Sequence, residues 1–386
     1  MQHNLMIITE VDFVKETIET RNRSLNLIIK EYKKYFNTIH VICPYMEEIT
    51  YVKNVNTGIY YSTFNTYNKS IKKRLSHIMF MKKNNKRLEK LLLMNNTNLV
   101  QLRIPSIFSM SFYKIIKKLN MSLTTYIAGD WYSGFTANYT FLGSNIVANF
   151  LEKLQQPIIK NSIPVSAGIE LTKKYVHLNK IYPYFSTTHT KIHKIDKNLL
   201  DKIHFLFVGR LENLKRIEDA ILALKIMIDK GLNDFIFHIV GEGKEKQRLQ
   251  ELINNLELNK NVKFYGYISD ANRMEELYSI SHIFLFPSIS EGTPKVLAEA
   301  MSFGTIPIAV KTTGSISSII KHKQNGFLVG AKSPKEIAKY IEELLNDKNL
   351  YTTMVENCYE YAQEHTLQKE VEKMWKHIFT QMEYKK

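Results

Sequence analysis

The chain has 386 residues, 44% of them hydrophobic and 23% charged. That length exceeds the roughly 250–300 residues that one core organises, and the composition excludes a disordered, collagen-like or small disulfide-stapled chain. The net charge of +16 sits in one half: residues 1–200 hold 28 Lys and Arg against 12 Asp and Glu, whereas residues 201–386 hold 25 of each.

In the first half, apolar or β-branched runs at Leu5–Thr9, Thr38–Cys43, Leu99–Leu102 and Leu123–Ala128 predict strands. No apolar run approaches the ~18 residues that span a bilayer, and Leu5–Ile8 is too short for a signal-peptide core, so a soluble or peripheral protein is expected. The two cysteines, Cys43 and Cys358, fit neither a disulfide framework nor a metal-ligand spacing, and a reducing cytoplasm is the expected compartment.

Residues 69–90 contain nine cations and one acid, with Ile71, Leu75, Ile78 and Met79 on one helical face. Such a helix suits an anionic membrane surface, and a core-packed helix with a solvated face fits the same pattern. Lys114, Lys117 and Lys118, then Lys173 and Lys174, add charge of the same sign. The polar stretch Ser186–Lys197 reads as a domain boundary.

Beyond it, strands are predicted at His204–Val208, Phe235–Val240, Val262–Tyr265, His282–Phe286 and Ile306–Val310. Amphipathic stretches separate them, such as Ile217–Lys230 with Ile217, Ile221, Leu224 and Met227 on one face. After residue 330 the pattern is helical, with Pro334 at a helix start and a break at Asn346–Asn349. Alternation of this kind predicts two doubly wound α/β domains, with ligands at the carboxyl ends of the strands and the active site in a cleft.

Two loops concentrate chemistry. After the strand ending at Pro287, Glu291, Gly292, Thr293, Pro294, Lys295, Val296 and Glu299 combine a tight turn, a helix start and two carboxylates. Free N–H groups there suit phosphate. After the strand ending at Val208, Gly209 is followed by Arg210, Lys215 and Arg216, cations that suit a diphosphate. Gly241 and Gly243 form a turn on the same edge. The third glycine of a dinucleotide fingerprint is missing, and neither a P-loop nor a metal-binding His-Glu-x-x-His helix occurs. The 12 histidines are scattered, and His189 and His193 read as surface residues, so no metal ligands are expected.

These residues resemble the nucleotide-sugar domain of retaining glycosyltransferases of family 4, which have the GT-B fold. The resemblance rests on Gly209-Arg210-Leu211, Gly241-Glu242-Gly243, Gly266, the strand into Pro287-Ser288, the run from Glu291 to Ala300, Gly304-Thr305-Ile306-Pro307 and Asn325 to Val329. It covers about residues 203–346.

The resemblance implies two Rossmann-like domains facing a cleft: 1–197 on the acceptor side, with helix 367–386 packing back on it, and 198–366 for the nucleotide sugar. It implies transfer of a hexosyl or N-acetylhexosaminyl group from a UDP- or GDP-sugar to a glycan or lipid-linked acceptor, with retention and without a required metal or cofactor. The setting would be bacterial surface polysaccharide or glycolipid assembly, at the inner face of the cell membrane. Glu299 would accept from ribose hydroxyls and Glu291 would lie beside the donor sugar. Arg210 and Lys215 would hold the diphosphate, helped by the loop glycines Gly209, Gly241 and Gly292 and by backbone N–H groups around Thr293 to Val296.

The sequence departs from that family in the loop Thr9–Val14, where paired glycines are common, at Ser281-His282, and at Thr313–Ser318. Asp130, after a predicted strand, is the candidate catalytic residue of the first domain, and a turn or capping role remains open for it. A GT-B sugar-nucleotide epimerase or a non-catalytic membrane-surface subunit would carry a similar donor motif. Nucleic-acid binding, which a basic half also suggests, lacks any supporting signature.

Overall fold

The computed structural model describes residues 3–45, 49, 51–65, 84–138, 143–197, 199, 202–289, 291–311 and 315–384. The chain divides into two compact units, one of residues 1–185 with 370–386 and one of 186–369.

The first unit carries β1 (Asn4–Ile8), the hairpin β2 (Phe13–Val14) and β3 (Glu19–Thr20), then β4 (Thr38–Tyr45), β5 (Val52–Lys53) and β6 (Tyr60–Asn65). There follow β7 (Leu99–Ile104), β8 (Ser122–Ile127), β9 (Ile163–Ala167) and β10 (Tyr182–Tyr184). Eight of these form one sheet in the order β10-β9-β8-β7-β1-β4-β6-β5, parallel except for the short edge strand β5. The final helix, Leu367–Glu383, buries Trp375 in this unit against Tyr32 and Phe36, with ring centroids 4.8 and 4.7 Å apart.

The second unit carries β11 (Ile203–Val208), β12 (Phe235–Val240), β13 (Val262–Gly266), β14 (Ile283–Phe286), β15 (Ile306–Val310) and β16 (Phe327–Val329). Their order is β13-β12-β11-β14-β15-β16, and every pairing is parallel. All residues of β12, β14 and β15 are buried, as expected of a parallel sheet covered by helices on both faces. Helix Ile217–Asp229 turns Ile217, Ile221, Leu224 and Met227 inward, each fully buried side chain contributing on the order of 1.5–3 kcal/mol. Helix Pro334–Asn346 starts on its proline, and Asp347 caps the next helix by accepting from Leu350 N.

The predicted strands are present, with ends moved by a residue or two. Strands β2, β3, β5, β6, β9, β10 and β16 were not anticipated. Residues 69–83 of the basic segment lie outside the described residues, and residues 84–94 are helical.

The polar stretch Ser186–Lys197 belongs to the second unit, because its polar side chains are spent on internal bonds. The Lys197 ammonium donates to the carbonyls of Tyr278, Ser279 and Ser281 at 3.0, 2.8 and 2.5 Å. His189 is a correction to its surface reading. It is buried, its Nδ1 2.6 Å from Thr187 Oγ1 and its Nε2 2.8 Å from the Ala362 carbonyl.

Candidate functional site

In the second sheet the chain order reverses between β11 and β14, so the loops leaving their carboxyl ends diverge to opposite sides and leave a crevice there. Three neighbouring loops are packed backbone against backbone at this edge. Gly209 N donates to Val240 O at 3.0 Å, Leu211 N to Glu242 O at 2.9 Å, and Gly241 N to Gly266 O at 2.8 Å. A Cβ on Gly241 would collide with the Gly209 carbonyl, and one on Gly243 with the Leu211 carbonyl. These glycines are therefore required by loop-on-loop packing.

The β11 loop then makes a short 3-10 turn, Asn213–Lys215, and Arg216 takes a left-handed conformation with φ 51° before helix Ile217–Asp229. Arg216 is held there by Asp219, at 3.0 and 2.7 Å, and by Glu218 at 2.6 Å. Its guanidinium is thus committed to the helix start. The β14 loop is lashed to the same turn, since Ile289 N and Ser288 Oγ both donate to the Leu214 carbonyl, at 3.0 and 3.3 Å.

This fastening brings Lys215 and Glu291 together across 76 residues, with Nζ 2.5 Å from Oε1. Both side chains are about nine-tenths buried, at 13% and 12% exposure, so their attraction is screened far less than that of a surface pair. Arg210, in contrast, is 75% exposed and pairs with Glu212 at 2.7 Å. A surface contact of that kind is worth at most about 1 kcal/mol, so the guanidinium is free to turn toward an anion.

Glu291 lies ahead of helix Lys295–Met301, for which Pro294 is the N-cap residue. Proline therefore stands at the helix start, just before its first residue. Gly292 is exposed, and no described atom lies within 4 Å of where a Cβ on it would stand. Ser315 N donates to Gly292 O at 3.3 Å, and the hydroxyls of Thr293 and Ser315 are 3.5 Å apart. Residues 313 and 314 of the divergent segment lie outside the described residues.

Glu299 is carried by the same helix. Its Oε2 accepts from the Tyr278 hydroxyl at 3.1 Å, and its Oε1 accepts from Thr188 Oγ1. Burial and the adjacent carboxylate push the Tyr278 phenol well above its ordinary range, so it stays a hydrogen-bond donor. Sequence reasoning missed both partners. Thr188 lies in the stretch read as a boundary, 111 residues away, and Tyr278 lies outside both of the loops singled out in the sequence.

Asp130 lies in the first unit just past β8, with Oδ1 2.9 Å from Lys174 Nζ. Lys174 also approaches Glu152 at 3.4 Å, and Glu152 Oε2 accepts from Trp131 N at 2.9 Å, capping helix Trp131–Asn138.

Residues 189–364 match the family model described as glycosyl transferases group 1. An uncharacterised glycosyltransferase of Haemophilus influenzae is 31% identical over 187 residues, 48% of this chain and 52% of the relative. The capsular polysaccharide biosynthesis glycosyltransferase CapM of Staphylococcus aureus is 29% identical, over 56% of each chain. The chain thus spans about half the length of these curated relatives. Among solved structures, sucrose-phosphate synthase of Thermosynechococcus elongatus superposes with a TM-score of 0.71 at 15% identity, covering 100% of both chains. Anabaena Alr3699/HepE in complex with UDP also gives 0.71, at 14% identity, over 98% of this chain and 100% of that one. The fold is GT-B, with two Rossmann-like units.

Proposed function

We propose that this protein is a nucleotide-sugar-dependent glycosyltransferase whose donor lies at the carboxyl edge of β11 and β14. The observation that carries the reading is the meeting of Lys215 and Glu291 at that switch point, one short helix away from Glu299. A nucleoside diphosphate fits this chemistry. Glu299, held by two donors, still has lone pairs free for two ribose hydroxyls. Lys215 and the exposed Arg210 match the diphosphate.

The protein's part in the chemistry follows from charge. As the bond from the sugar to the diphosphate lengthens, negative charge grows on the leaving phosphate oxygen. Cations already in place stabilise it without reorganisation, and losing one such group costs about 3–4 kcal/mol of barrier. Lys215 is pre-positioned because Glu291 holds it, and Glu291 in turn presents its other oxygen to the donor sugar. No atom of the described residues stands where a Cβ on Gly292 would lie, which supports a role in leaving room for the donor beside the backbone.

The finer reading is retention of anomeric configuration, transfer of a hexosyl or N-acetylhexosaminyl group from a UDP- or GDP-sugar, and an acceptor in surface polysaccharide or glycolipid assembly. It draws support from CapM, named for capsular polysaccharide biosynthesis, and from HepE, solved with UDP. Asp130 is proposed as the first unit's contribution to the reaction, set by Lys174. The test is a panel of UDP- and GDP-sugars assayed for nucleoside diphosphate release and product anomer. Release from one donor, lost in Glu291→Ala, supports the reading, and failure to bind or turn over any member of the panel overturns it.

A further inference from the structure

Residues 186–197 form neither helix nor strand, yet they are tied to the second unit at both ends. Near the start, Thr188 Oγ1 donates to Glu299 Oε1. At the far end, Lys197 is only 6% exposed and donates to the carbonyls of Tyr278, Ser279 and Ser281. Tyr278 and Ser279 lie in the last turn of helix Ala271–Ile280, and Ser281 is its C-cap residue. Carbonyls at a helix end lack intrahelical partners. An ammonium has three N–H donors, so donors and acceptors match one to one, and the negative end of the helix dipole favours the charge.

Between these two ends, His193 N donates at 2.8 Å to the carbonyl of Ser302, the C-cap residue of the helix that carries Glu299. The His193 ring stacks on Phe303 with centroids 4.0 Å apart, and Phe303 stacks on Tyr278 at 5.5 Å. The segment therefore touches the Glu299 carboxylate directly. It also fastens the ends of both helices that aim it, one bearing Glu299 and the other bearing Tyr278, whose hydroxyl donates to the second carboxylate oxygen.

Given the donor reading, on which this rests, we infer that residues 186–197 are a strap that positions Glu299 for the ribose. Thr188 acts on the carboxylate itself, and Lys197 acts through Tyr278 by fixing the end of its helix. Both are positioning residues, since each reaches the ligand only through Glu299. A hydrogen bond is lost when its heavy atoms move apart by much more than about 0.5 Å. A drift of the Tyr278 helix end by that amount would release one carboxylate oxygen, and binding would then have to order the side chain again. A polar connection without this duty would leave its side chains in water, whereas Thr187, His189 and Lys197 are buried.

The test is titration of the full chain at pH 6 with UDP and GDP, and with the 2′,3′-dideoxy form of whichever binds. Burial pushes Lys197 down to about 7, so its ammonium is kept at that pH. The wild type is expected to prefer the ribose nucleotide. Thr188→Val and Lys197→Met should each narrow that preference about fivefold, the effect of loosening one hydrogen bond, while affinity for the dideoxy form stays unchanged. His193→Ala should narrow it less. Thermal unfolding shows which variants are folded at the assay temperature, and if Lys197→Met is not, Thr188→Val, at a half-buried position, decides. Two results overturn the strap and leave the donor reading standing: an unchanged ribose preference in a folded Lys197→Met or in Thr188→Val, or equal losses for the ribose and dideoxy forms, the mark of a structural part only. A wild type that binds both forms alike overturns the ribose role of Glu299 and the strap with it, and a wild type that binds no nucleotide overturns the donor reading as well.

Discussion

The hydroxyl of Tyr278 donates to Oε2 of Glu299 at 3.1 Å, while Thr188 occupies the other oxygen of the same carboxylate. The carboxylate is thus fixed in one rotamer before any ligand arrives, and the ordering entropy of its side chain is already lost. Under the donor reading, Tyr278→Phe should weaken binding of whichever of UDP and GDP the protein accepts by several-fold. Binding of the matching 2′,3′-dideoxy nucleotide should hardly change, because it lacks the hydroxyls that Glu299 would receive. Glu299→Gln should show the same selectivity more strongly. Isothermal titration with both nucleotides checks this, and equal losses for the ribose and dideoxy compounds would assign Tyr278 a merely structural part.

Lys215 and Glu291 form a partly buried pair, so the two variants that break it are not equivalent. Lys215→Ala leaves a carboxylate without its cation and removes a charge from the proposed diphosphate site. It should lower both nucleotide affinity and turnover, the latter by about 3–4 kcal/mol of barrier. Glu291→Ala should abolish transfer while leaving nucleoside diphosphate affinity near the wild-type value. Single-turnover rates measured beside equilibrium binding separate the two effects. Full activity in both variants would remove the pair from the reaction.

What the sequence made legible follows physical rules that act locally. Phe235–Val240 could be read as a strand because a central parallel strand is buried on both faces and is therefore continuously apolar. Strand β9 escaped because Pro164 and Ser166 interrupt its run, and β10 and β16 are only three residues long. Within the site, the glycines and the Glu291 loop carry local turn chemistry. The Lys215–Glu291 contact and the Thr188 and Tyr278 bonds to Glu299 depend on how distant segments pack, and no local periodicity encodes that. Even Ser186–Lys197, whose polar composition suggests a linker, is polar because Thr188, His189 and Lys197 satisfy buried partners.

Two glycines of the site are expected to answer the same substitution differently. Gly241 has φ 138° and touches the Gly209 carbonyl, so Gly241→Ala must either separate the two loops or unfold the sheet edge. Strain and lost packing of this kind cost a few kcal/mol, and a clear drop in Tm is expected. Among the described residues no atom stands where a Cβ on Gly292 would lie, so Gly292→Ala should change stability by no more than about 0.5 kcal/mol yet weaken donor binding. A large fall in stability for Gly292→Ala would mean that its glycine serves the fold and not a ligand.

On the second sheet, His204 Nδ1 lies 2.8 Å from His238 Nε2, and His238 Nδ1 lies 2.8 Å from the Tyr265 hydroxyl. Burial, then the neighbouring His204 and Lys263, push His238 down to about 4. The unfolded chain takes up this proton near pH 6.5, whereas the folded protein resists it until about pH 4. Between those values the unfolded state binds more protons, so stability falls as pH falls, by on the order of 2–3 kcal/mol in total. Above pH 6.5 the group contributes no such dependence. His40 in the first unit, also lowered to about 4 by burial, adds a loss of the same sign. His238→Gln should therefore be compared with the wild type by the slope of stability between pH 7.5 and 5, not by its value at one pH. Urea unfolding across that range should give a shallower slope for the variant, and parallel curves would show that His238 is not the group that titrates.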